Sequence, residues 1–423
     1  MKPDSRRTGK LLQSGVIFSA ISFLTLGIHW LFQFIVSPQL GGMDGEYGLV
    51  LTTIALITFL GLPLQIGSQV ITHHIARFHF SGDDARLQGL LAGCRKFLLH
   101  LTIGGSLVAI LLIRPLSVYF NIPRTSLTLI ALGCTVVGLW GTYVTVLCQG
   151  LGWFKRLALI GLLSAVLRLL FGGLTTRIWP VAEYAVAASG VMVLANLVLF
   201  FWKKEFPRSA GNVISPWTPE FKQFLAVCCV WAAGSSCLNQ GDLLVAGKFF
   251  SKSDLDAYGS ASLFARALPT MVGPLLTVLF THRSGYSQTR EGMLGEQLKL
   301  VGLYTAGLIG GAVCLYVLRG FCLQLLHRNT PDARAMIGPL AMTMVFVGLL
   351  QALGTWALAS RWSMVSVLYG MLGIGYWLVL LLTGKTPALL LHTMPVTAGI
   401  ALAALLAAWL MTMRWHPTAP SEC

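Results

Sequence analysis

Long apolar runs recur along this chain, and basic residues gather heavily in every second gap between them and sparsely in the others. A run of roughly 17–25 apolar residues is the length that crosses a bilayer as a helix, where every backbone donor and acceptor is paired internally. Lysine and arginine collect on the cytoplasmic side of such spans. This alternation constrains the fold before any motif is read. The chain is expected to be an all-α integral membrane protein of about 12 transmembrane helices. The runs fall at about 11–36, 47–75, 97–113, 125–149, 157–176, 182–202, 221–247, 257–281, 298–318, 336–358, 363–383 and 392–413. An even number puts both termini on one side. Nineteen lysines and arginines then share that side with the termini, nine lie opposite, and Arg168 and Arg266 fall within spans. The expected topology is multi-pass with both termini cytoplasmic.

Composition excludes most other classes. Only 11% of residues are charged, against about a quarter in soluble chains, which leaves no stretch polar enough for a separate soluble domain. The basic start (Lys2, Arg6, Arg7, Lys10) resembles a signal peptide. The apolar run behind it is too long for one and ends in no small-residue cleavage site, so it reads as a retained first helix. A net charge of +15 is explained by cytoplasmic loops facing anionic lipid, and no nucleic-acid partner is expected. Nine cysteines lie mostly inside apolar runs without zinc-site spacing, so no metal and no cofactor are expected.

The two halves look related. Tyr47-Gly48 and Tyr258-Gly259 stand half a chain apart, and Pro63-Leu64 and Pro274-Leu275 share that offset. In each half a loop with acids (Asp44 and Glu46; Asp254 and Asp256) leads into Tyr-Gly and then into a helix interrupted by Gly and Pro. A six-span offset preserves orientation, so the repeat is parallel. The expected organisation is an N-terminal six-helix bundle over 1–202, a cytoplasmic linker over 203–220 rich in proline, and a C-terminal six-helix bundle over 221–423.

No enzyme signature stands up. The segment Gly241 to Lys248 resembles a phosphate loop but has one residue too many, with Phe249 in place of the Ser or Thr that holds magnesium. Asp83-Asp84 is an isolated acidic pair, and His73, His74 and His79 sit beside Arg77 as an interfacial cluster. The informative residues are ionisable groups within spans, each costing several kcal/mol unless it meets a partner or a wet cavity. Asp242 and Arg266 lie at similar depth from the same end of adjacent spans, where they can pair or handle an ion. Arg168 is near mid-span with no acid on its own helix, which points to an anion-accepting cavity. Gln33, Gln65 and Gln69, with His29, Asn239 and Gln240, are candidates to line the same space or to bond between helices. Gly61 with Pro63, and Gly273 with Pro274, are candidate hinges, because proline removes a backbone donor.

Asp242-Leu-Leu-Val, the run from Lys248 through Asp254 to Tyr258-Gly259, and Ala265-Arg266 resemble the seventh and eighth helices of polysaccharide flippases of the multidrug/oligosaccharidyl-lipid/polysaccharide (MOP) superfamily. Glu46-Tyr47-Gly48 and Ser81-Gly82-Asp83 echo them in the first half. The resemblance implies a MATE-like fold of two six-helix bundles with a central cavity, and a non-enzymatic transporter in the bacterial cytoplasmic (inner) membrane. The implied cargo is a lipid-linked oligosaccharide or exported polysaccharide, such as an O-antigen or lipopolysaccharide precursor. Arg168 and Arg266 would contact its anionic groups, H+ or Na+ would be the coupling ion at Asp242, and polysaccharide polymerase or export machinery would be a partner. The rival readings are a cation-coupled drug or metabolite exporter of the same superfamily, which would favour acidic cavity residues, and a membrane-embedded glycosyl or phosphosugar transferase, which would need more carboxylates.

Overall fold

The computed structural model describes residues 5–41, 45–61, 68–201, 219–285 and 290–415, apart from 69, 73, 77, 80, 81 and 361. Thirteen helices are bounded among the described residues: α1 (Ser5–Gln39), α2 (Glu46–Leu60), α3 (Asp84–Tyr119), α4 (Thr125–Gly150), α5 (Phe154–Ile178), α6 (Ala182–Phe201), α7 (Pro219–Phe249), α8 (Lys252–Gly285), α9 (Arg290–Val317), α10 (Arg319–Leu325), α11 (Pro331–Ala359), α12 (Ser363–Thr383) and α13 (Pro387–Trp415).

Local chemistry sets several helix starts beyond the apolar runs. Asp83 caps α3, accepting from Arg86 N at 3.1 Å, so this helix opens at Asp84 rather than near 97 as expected. Thr330 caps α11 through Ala333 N, with Pro331 in the first turn where its missing donor costs nothing. Ser251 caps α8 through Asp254 N, and the Asp254 carboxylate accepts back from Ser251 Oγ at 2.7 Å, a reciprocal cap. Ahead of α2, Gly45 holds φ +85°, a left-handed turn that favours glycine.

The chain divides into two compact units, Met1–Leu225 and Ala226–Cys423. In the first, α5 packs on α1 and α6, and α4 packs on α2, α3 and α6. A core of Ile75, Leu87, Leu90, Leu91, Val144 and Leu147 joins the start of α3 to α4. In the second, α11 is central, packing on α8, α9, α12 and α13. Glycine lets α7 and α12 touch backbone to backbone. A Cβ on Gly234 would stand 2.3 Å from Gly370 O, and one on Gly373 would stand 2.3 Å from Gly234 O.

Seven of the described helices (α3–α6 and α11–α13) are long and apolar enough to cross a membrane, and eight if α9 and α10 form one span bent by 77°. The expectation of twelve spans is not reached on this measure. The count covers only the described residues, and side chains in α1, α7, α8 and α9 fall outside them. α2 stops after 15 residues at Gly61, whose N–H closes on Ile57 O. Helical backbone resumes at 70–72 and 74–76. Of the expected linker 203–220, residues 203–218 lie outside the described residues, and Pro219 and Glu220 open α7.

Candidate functional site

In the first unit, α5 carries Arg168 into the interior, where it is 9% exposed. Its guanidinium lies over the ring of Phe32 on α1, 4.3 Å from the centroid, and Nη1 is 3.2 Å from Nδ1 of His29. His29 and Phe32 are three residues apart and share a helix face. Because the arginine donates, His29 accepts at Nδ1 and carries its proton on Nε2. Gly172, one turn beyond Arg168, makes room for this arrangement, since a Cβ there would stand 2.4 Å from the Phe32 ring. No carboxylate forms an ion pair with Arg168 among the described residues. Its buried Nε has no hydrogen-bond partner among them. A stacked ring offsets about 2 kcal/mol of a buried cation's cost when desolvated, which is less than the whole. Among the described residues, therefore, the positive charge of this site has no ionic partner.

Gln33 lies one turn from His29 and is buried, its Oε1 accepting from Tyr47 Oη at 3.1 Å. That bond ties α1 to the start of α2. Nearer the end of α1, Gln39 accepts from Thr176 Oγ1 and donates to Gly173 O, fastening α1 to α5.

The second unit holds the corresponding network with charge added. Asp242 on α7 is fully buried. Its Oδ2 accepts from Tyr258 Oη at 2.6 Å, and its Oδ1 accepts from Arg266 Nη2 at 2.5 Å, both from α8. Arg266 Nη1 donates to Gln240 Oε1 at 2.7 Å, and Tyr258 Oη also lies 3.4 Å from Met394 Sδ of α13. Tyr47 and Tyr258 are the tyrosines of the two Tyr-Gly repeats, each bonded to a polar side chain on the preceding helix: a neutral amide in one unit, a carboxylate in the other. Arg266 consequently brings its own counter-ion. Its charge is compensated, whereas Arg168 has no ionic partner among the described residues, although the Nε of Arg266 is likewise buried and without a partner among them. The Tyr376 hydroxyl from α12 is also buried and unbonded among them, within electrostatic range of Asp242.

A second correspondence lies at the acids just before each Tyr-Gly pair, which the structure places in the first turns of α2 and α8 and not in loops as expected. Glu46 binds Arg124 Nη2 at 2.6 Å and caps Ala182 N at 2.8 Å, while Arg124 Nε reaches Glu183 at 3.0 Å. Asp256 binds Arg328 Nη1 at 3.0 Å. Arg124 stands just ahead of α4 and Arg328 just ahead of α11. In each unit the acid before Tyr-Gly thus clasps an arginine before a later span. The pattern of acids was visible in sequence, but the arginine partners, more than seventy residues away, were not.

The remaining expected residues separate. Pro63, Gln65 and Gln69 lie outside the described residues. Gly61 terminates α2. α8 stays helical through Gly273 and Pro274, so motion there would bend a continuous helix rather than open a gap. Asn239 donates to Ser235 O within α7. No cluster of His, Cys, Asp and Glu able to hold a metal occurs among the described residues.

The chain matches no known sequence family and no curated protein sequence. Its fold does match solved structures. The lipid II flippase MurJ in an inward closed conformation aligns with a TM-score of 0.63 at 13% identity, over 93% of this chain and 87% of that one. A MOP superfamily transporter from Pyrococcus furiosus aligns with a TM-score of 0.60 at 13% identity, over 96% of each chain. An inward-facing multidrug resistance MATE family transporter of the MOP superfamily aligns with a TM-score of 0.57 at 14% identity, over 91% of this chain and 95% of that one. The likeness covers nearly the whole chain and is one of fold.

Proposed function

We propose that the chain is a non-enzymatic membrane transporter that flips a lipid-linked oligosaccharide, or exports a polysaccharide, across the bacterial cytoplasmic membrane by alternating access. The observation that carries this reading is Arg168, a buried guanidinium with no carboxylate among the described residues and an unused Nε donor. A diphosphate or acidic sugar is the ligand class that compensates such a charge, because phosphate and carboxylate oxygens match a guanidinium edge. Moving a sugar headgroup through hydrocarbon would cost several kcal/mol for each lost hydrogen bond. A cationic, polar passage replaces those bonds while the prenyl tail stays in lipid. Cargo crosses unchanged, so the reading calls for no covalent step. The fold shared with MOP superfamily transporters supports transport, and the charge supports anionic cargo.

The test is reconstitution in vesicles with a fluorescent prenyl-diphosphate-linked oligosaccharide, following its arrival at the opposite leaflet. Arg168→Ala is expected to remove transport while leaving the protein folded and inserted, and Arg168→Lys to restore part of it. Full transport by Arg168→Ala would refute the reading. The fully buried carboxylate Asp242 favours a second reading, a cation-coupled drug or metabolite exporter. That reading predicts gradient-driven efflux of cationic dyes from the same vesicles and indifference to Arg168.

A further inference from the structure

The Asp242–Arg266 pair is built differently from a pair that merely fixes two helices. Asp242 has one charged donor on Oδ1 and one hydroxyl donor on Oδ2, so the carboxylate is satisfied as an anion. Arg266 is not satisfied, because its Nε is buried and unbonded among the described residues. Its side chain is also 16% exposed, while that of Asp242 is closed off entirely. The cation is therefore the half of the pair that a ligand can reach. The Tyr376 hydroxyl of α12 is also buried and unbonded among the described residues, within electrostatic range of both Asp242 and Arg266.

From this asymmetry we infer that Arg266 is an exchangeable counter-ion: an anionic phosphate group of the cargo takes the guanidinium from Asp242, and Asp242 takes up one proton from water in its place. This deepens the proposed function and rests on its anionic cargo. The balance closes without another reactant. The guanidinium exchanges a carboxylate for a phosphate oxygen, and the carboxylate becomes a neutral carboxylic acid. That acid keeps the Tyr258 hydroxyl on Oδ2 and carries its proton on the oxygen the guanidinium has left. A buried carboxylate deprived of its cation is driven to the protonated form by desolvation, so anion and proton bind together. The ionisable side chains facing Asp242 among the described residues are Arg266 and Tyr258 from α8 and Tyr376 from α12. Of these, Arg266 is the cation whose departure leaves the carboxylate unpaired. In the first unit the matching tyrosine, Tyr47, donates to the amide of Gln33, so the proton linkage inferred here is that of the second unit.

The experiment is titration calorimetry of the purified full chain with geranyl diphosphate, run in buffers of different ionisation enthalpy. The wild type is expected to take up about one more proton per ligand than Asp242→Asn, with an affinity that falls about tenfold more per pH unit as pH rises. Subtracting the variant removes the ligand's own titration. If Asp242→Asn does not accumulate, the charge-balanced Asp242→Asn/Arg266→Gln protein serves as reference, because it leaves neither charge buried alone. Equal proton uptake in wild type and variant overturns the exchange while leaving the anionic-cargo reading intact. Absence of binding in the wild type overturns both. Binding that Arg168→Ala weakens, with the difference in proton uptake between wild type and Asp242→Asn retained, supports both.

Discussion

The glycine crossing of α7 and α12 offers an experiment with its own control. Gly373 and Gly375 lie two residues apart on α12. A Cβ on Gly373 would stand 2.3 Å from Gly234 O and 2.6 Å from Gly234 Cα, whereas one on Gly375 meets nothing within 4 Å. Ordinary carbon–oxygen contacts of this kind run at about 3.3–3.6 Å, so the helices would have to part by about 1 Å. The obstacle is backbone and cannot rotate aside. Both substitutions gain the same helix propensity, about 0.8–1.0 kcal/mol for Gly→Ala. The difference between the two variants therefore isolates the clash, about 1–3 kcal/mol for an overpacked methyl. For units of roughly 200 residues, 1 kcal/mol moves the unfolding midpoint by about 2–4 °C, which sets Gly373→Ala about 2–12 °C below Gly375→Ala. The assay is thermal unfolding in detergent read by a thiol-reactive fluorophore, for which buried Cys228 and Cys237 on either side of Gly234 are native reporters. Gly375→Ala should match or exceed the wild type. Equal midpoints, or a higher one for Gly373→Ala, would refute the close crossing.

The paired tyrosines give a second comparison: Tyr258→Phe strands a charged, fully buried oxygen and should cost about 2–3 kcal/mol, while Tyr47→Phe loses a bond to a neutral amide and should cost about 1 kcal/mol. The same unfolding assay checks the order, and a larger loss at Tyr47 would contradict it. Arg124→Ala removes the cation shared by Glu46 and Glu183 and should destabilise the first unit by about 1–3 kcal/mol, between the limits for exposed and buried pairs; raised salt should shrink the wild-type advantage, and salt-independent stability would count against the clasp. Ser253, exposed at the start of α8, should label from outside the cell as Ser253→Cys in a background with Cys229 and Cys314 replaced by serine. Labelling only after permeabilisation would reverse the expected topology.

The helical architecture was legible because its cause is local: a run such as 363–383 is apolar throughout and appears as α12 with those bounds. Starts set by a polar cap were less legible. Asp83 extends α3 well ahead of its apolar stretch, because a cap and a polar first turn leave no trace in hydropathy. The pairing of Asp242 with Arg266 was readable from depth along adjacent spans. What depth could not give was the division of labour: that Tyr258 and Gln240 complete the pair, and that Arg168 has a ring and a neutral imidazole instead of an acid. Those depend on rotation about the helix axis and on packing between helices distant in sequence. The crossing at Gly234 and Gly370 was hidden for the same reason, since a glycine that permits contact looks like any other until its neighbour is in place.

The clasps made by Glu46 and Asp256 also bear on how the chain is made. Glu46 precedes its arginine by 78 residues and Asp256 precedes its own by 72. At synthesis rates of about 5–20 residues per second, each acid waits roughly 4–16 s for its partner to be translated. During that interval the acid has no arginine beside it, so water or another polar group has to hold its charge until the clasp can close.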